Sequence, residues 1–64
     1  MNLIISEYTK IIAKNIKVNK EGQADTFDII ELAREIGEDN NLYNNGNWND
    51  TNRDKCYAKA YEII

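Results

Sequence analysis

One stretch of this chain admits a single structural reading. From Thr26 to Gly37 (TFDIIELAREIG), apolar residues recur at helical spacing. At about 100° per residue, Ile29, Leu32, Ala33 and Ile36 share a face with Ile30 at its margin. Asp28, Glu31, Arg34 and Glu35 lie outside it. Asp25 or Thr26 supplies the N-cap, since a short side-chain oxygen accepts from a backbone N–H that the first turn leaves unpaired. Asp28 and Glu31 place negative charge near the positive end of the helix dipole. Gly37 stands where a residue at positive φ is wanted, so the helix is expected to end there, with Gly37 as the first residue beyond it. The oily stripe has to be buried, and the rest of the chain is read as its cover.

Before this helix, Asn2 to Lys17 reads as a second one. Ile4, Ile5, Tyr8, Ile11, Ile12 and Ile16 occupy one side of its wheel; Glu7, Lys10, Lys14 and Lys17 occupy the other. Asn2 or Ser6 is its candidate cap, and Glu7 and Lys10 make a surface pair. The rival is a β-hairpin: residues 12–19 are rich in branched side chains, and Asn19-Lys20-Glu21-Gly22 is a fair turn. The wheel accounts for more positions than the alternation does, which favours helix.

A third helix is expected from about Asn52 to Ile63, capped by Thr51 with Asp54 three residues on. Its inner face would hold Cys56, Tyr57, Ala60, Tyr61 and Ile64, with Lys55, Lys59 and Glu62 outside. Between the second and third helices lies a polar loop of about a dozen residues, at the upper end for compact domains. Asn45-Gly46 marks a turn within it, and Leu42, Tyr43 and Trp48 pin it to the body. The predicted fold is all-α: a three-helix domain with a long Asn-rich loop before the last helix. The alternative is α+β, with an N-terminal hairpin packed on the central helix.

Sixty-four residues make one small domain, near the lower limit of independent stability. With one cysteine, Cys56, no internal disulfide forms, and Cys56 is read as a small buried apolar residue in a reducing compartment. Histidine is absent, so the usual zinc and iron–sulfur ligand sets are missing and no cofactor is expected. The net charge of −3 has the wrong sign for broad phosphate attraction. No apolar run approaches the ~20 residues of a membrane span, and the N-terminus lacks a secretory pattern, so a cytoplasmic location is expected. The abundance of Ile, Asn, Lys and Tyr suggests an AT-rich genome such as that of a phage or mobile element.

Leu32-Ala33-Arg34-Glu35-Ile36-Gly37 resembles the first half of a helix-turn-helix, with a small residue at the helix crossing and Gly four positions later. That resemblance implies a small DNA-binding regulator built on residues 26–48, the alternative functional reading. Glu38 departs from the apolar residue usual after the Gly. The would-be recognition helix, 40–48, has no Arg or Lys for bases or phosphates. Asp50, Asn52 and Asp54 have the alternate spacing of a calcium loop, but Lys55 and Tyr61 replace its glycine and closing carboxylate. Without histidine, Cys56 has no imidazole to activate it, and the glycines are isolated, so no enzyme is expected. The main expectation is therefore binding to another protein, or self-association, as an inhibitor or adaptor. Leu42, Tyr43, Trp48, Tyr57 and Tyr61 are its candidate contacts, because aromatic side chains bury large area at low entropic cost. For Trp48 and Tyr61, a place in the core is the competing expectation.

Overall fold

The computed structural model describes residues 2–64. It is all-α: α1 is Glu7–Asn15, α2 is Thr26–Asp39 and α3 is Asp50–Ile63. Among the described residues, extended pairing is limited to two isolated bridges, Val18–Ala24 and Asn44–Asn47. Helix α2 packs most heavily on α3 and more lightly on α1. The start of α3 lies by the end of α2, and Tyr61 shares a surface depression with Thr26, so the two helices run antiparallel.

Helix α2 supplies most of the core: Ile29, Leu32, Ala33 and Ile36 are buried, joined by Cys56 and Ala60 of α3 and Ala13 of α1. Complete burial of an Ile or Leu side chain is worth about 1.5–3 kcal/mol, so this stripe dominates the stability of the domain. Asp25 caps α2, its Oδ1 accepting from the Phe27 N–H at 2.8 Å. Cys56 is fully buried and burial pushes its thiol up, as suits a packing residue.

The end of α2 differs from expectation. Gly37 lies inside the helix, which continues to Asp39. The left-handed residue is Asn41, at φ 58°. The Leu42 N–H donates to the Gly37 carbonyl (2.8 Å) and the Asn41 N–H to that of Glu38 (3.2 Å). These two bonds form a Schellman motif, with Leu42 folding back onto the core. Asn tolerates the left-handed region, so glycine is free to serve elsewhere.

Helix α1 is shorter than the 2–17 expected. Ser6 caps it, and it stops at Asn15, whose Nδ2 donates to the Ile11 carbonyl at 2.8 Å. The turn of the rival hairpin also forms, organised by the Asn19 side chain, which accepts from the Glu21 and Gln23 N–H groups, each at 2.9 Å. Only the Val18–Ala24 bridge follows it. The inner face of α1 is turned relative to the expected one: Thr9 and Ala13 are buried and Ile5, Ile12 and Ile16 pack beside them. Ile4, Tyr8 and Ile11 face outward.

Helix α3 begins two residues early. Asn49, not Thr51, is its cap, its Oδ1 accepting from the Asn52 N–H at 2.8 Å. Asp50 and Asp54 lie against Arg53 at 3.4 and 3.6 Å, as surface ion pairs of the first turns. Ile63 packs on the core, whereas Tyr61 is 62 % exposed.

Candidate functional site

Asn45 and Gly46 both have positive φ (52° and 83°), and Asn44 and Asn47 exchange two backbone hydrogen bonds of 2.9 Å. This is a two-residue hairpin of type I′, the turn that Asn-Gly favours. The residues just outside it, Tyr43 and Trp48, form the next pair across, where side chains approach closely. Their ring centroids are 4.8 Å apart with planes at 71°, and Trp48 lies 6.0 Å from Tyr57 on α3. The Arg34 guanidinium stands 5.8 Å from the centre of the Tyr43 ring. Leu42, Tyr43, Trp48 and Tyr57 are thus brought together, each half-buried. Tyr61 is separate, at the far end of the α2–α3 pair beside the 22–26 segment.

The aromatic hairpin rests directly on Gly37. A Cβ at that position would stand 2.7 Å from Cβ of Tyr43 and 3.2 Å from two Trp48 ring carbons. Close approach, not positive φ, is what requires glycine here.

A second feature escaped sequence reasoning. Oδ2 of Asp39 accepts from the Ser6 N–H (3.0 Å) and from the Thr9 hydroxyl (2.6 Å). Ser6 Oγ donates to Thr9 Oγ1 at 3.0 Å and accepts from the Thr9 N–H at 3.1 Å. Next to it, the Asn40 amide clasps Ile4: the Ile4 N–H donates to Oδ1 (2.6 Å), and Nδ2 donates to the carbonyls of Ile4 (2.8 Å) and Ile36 (2.7 Å). This polar clasp ties α1 to the C-terminal end of α2 and sets its rotation. Among the described residues every buried side-chain polar atom has a partner. The only advance signal was the Ser6-x-x-Thr9 spacing, since its partners are some thirty residues away.

The outer side of α2 is strongly acidic. Glu35 holds its proton more tightly than an ordinary carboxylate, chiefly through burial, then through the charges of Glu38, Asp39 and Glu31. The folded-state value lies above the unfolded one, so acidification through that window favours the fold, and at neutral pH the ionised group costs stability. Glu35→Gln should therefore raise the urea midpoint at neutral pH. The gain should vanish once the pH falls below the usual carboxylate range, and a gain independent of pH would contradict the assignment.

The helix-turn-helix resemblance finds no second helix at 40–48, which is the Schellman turn and the hairpin; α3 begins only at Asp50. No helix among the described residues is long and apolar enough to cross a membrane. Fold and surface define a small three-helix domain with an aromatic hairpin at one end and large apolar side chains left outside its core. Comparison with protein-family models, curated proteins and solved structures finds no match.

Proposed function

We propose that this protein is an interaction module that acts by binding another protein. The observation that carries this reading is the set of side chains the core leaves out on the α1 side. Ile4, Tyr8 and Ile11 are 67 %, 65 % and 56 % exposed. Tyr8 and Ile11 are one helical turn apart, and Ile4 stands just before the cap. Isolated exposed apolar residues are ordinary, but apolar side chains one turn apart on a helix are the form taken by helix-in-groove contacts. Tyr43 lies instead on the outer side of α2 with Phe27 and Arg34, and Leu42, Trp48 and Tyr57 pack against the core.

The double variant Tyr8→Ser/Ile11→Ser tests this. Surface substitutions of this kind change stability by only about 0.5 kcal/mol, so its urea curve should overlay that of the parent. Affinity capture from the native host should lose the partner that the parent retains. Equal capture by both proteins would remove this face from the account. Retention of duplex DNA at low salt, lost steeply as salt rises, would instead favour the regulator reading.

A further inference from the structure

Between α1 and α3 there is a cleft of about 250 Å³. Ile5, Ala13 and Ile63 line its floor, and Lys10, Lys14 and Lys59 its rim. Lys10 and Lys59 each reach a glutamate on their own helix at 3.2 Å, Glu7 and Glu62. Exposed pairs like these are worth only about 0–1 kcal/mol, so both amines can be drawn to another carboxylate. Lys14 makes no ion pair among the described residues. Small-molecule sites usually span about 300–1,000 Å³, so a cleft of this size suits one or two apolar side chains of a protein.

The outer face of α2 is its complement. On the helical wheel Phe27, Glu31, Arg34 and Glu38 lie opposite the buried Ile29, Leu32, Ala33 and Ile36. Phe27 is 80 % exposed, more than any other large apolar residue described. Ile30 lies half-buried near it, and Glu31, Glu35 and Glu38 border the same surface. The side chains bordering the two surfaces differ in charge: Lys10, Lys14 and Lys59 stand at the cleft, and Glu31, Glu35 and Glu38 with the single Arg34 stand around Phe27. Helix α2 has no basic residue in its last turn, where the dipole favours one. The two faces share no residue, so one molecule can present both at once.

We propose that these faces recognise each other between copies: Phe27 of one molecule enters the α1–α3 cleft of the next, and Glu31, Glu35 and Glu38 meet Lys10, Lys14 and Lys59. This deepens the binding reading above and rests on it by treating the chain as an interaction module. The contact is head-to-tail, so it either closes into a ring or extends as a filament.

Sedimentation velocity of the full chain from micromolar to millimolar concentration tests it. The parent should associate, and less so as salt rises. Phe27→Ala loses the knob and Lys14→Glu/Lys59→Glu loses the cleft, so each alone should remain monomeric with an unchanged circular dichroism spectrum. An equimolar mixture of the two should form a heterodimer and stop there, because only one productive pair of faces remains. A monomeric parent, variants that associate like the parent, or a mixture that stays monomeric would overturn the proposal. If the parent is monomeric while Tyr8 and Ile11 still govern partner capture, self-recognition alone fails. Loss of both results would remove the binding reading as well.

Discussion

Asp39→Ala should cost the fold about 2–4 kcal/mol, because a buried group left without its partner costs about 1–3 kcal/mol and two donors are orphaned at once. Those donors are the hydroxyl of Thr9, which is fully buried, and the N–H of Ser6. A domain of 64 residues has about 3–10 kcal/mol in all, so the loss consumes much of its margin. Since α1 is the more lightly packed helix, its amides should lose hydrogen-exchange protection before those of α2 and α3. Asp39→Asn separates geometry from charge. Both bonds go to the single Oδ2 atom, which an amide oxygen can replace, and the variant also removes a negative charge from a helix C-terminus. It should retain most of the stability. Equal damage from Ala and Asn would show that the charge, not the acceptor, holds α1.

Gly37→Ala sets two effects of opposite sign against each other. Propensity favours alanine inside a helix by about 0.8–1 kcal/mol. Overpacking of a filled site costs typically about 1–3 kcal/mol, and here the new methyl would meet Cβ of Tyr43, an atom that moves only with its backbone, at 2.7 Å. The expected outcome is a net loss of up to about 2 kcal/mol in urea unfolding, accompanied by a change in Trp48 fluorescence as the hairpin is lifted. A stabilised variant would mean that Gly37 acts only through the backbone.

Local signals were legible wherever a residue's role involves near neighbours. The α2 stripe, the Asp25 cap, the Asn45-Gly46 turn and the burial of Cys56 all follow from spacing and backbone chemistry within a few residues. Ends and rotations were less so. Asn49 displaced Thr51 as cap because both are competent and the loop geometry chose between them. Tyr61 has the spacing of a core residue, yet α2 offers it no cover and Ile63 packs instead. The Tyr43–Trp48–Tyr57 cluster was anticipated in its membership, apart from Tyr61, but its seat on Gly37 was not.

The order of residues alone determined one amphipathic helix between Asp25 and the end of the Ile36 turn and an Asn-Gly reversal, and it favoured a helix over a hairpin before them and a helix after them. Periodicity and capping act over one or two turns, so they can be read along the chain. Which side of α1 faces inward, and why position 37 excludes a side chain, depend on Asp39, Asn40, Tyr43 and Trp48 arriving from elsewhere. Hydrogen bonds and steric contacts reach only a few ångströms, so partners distant in sequence exert them only once the chain has folded.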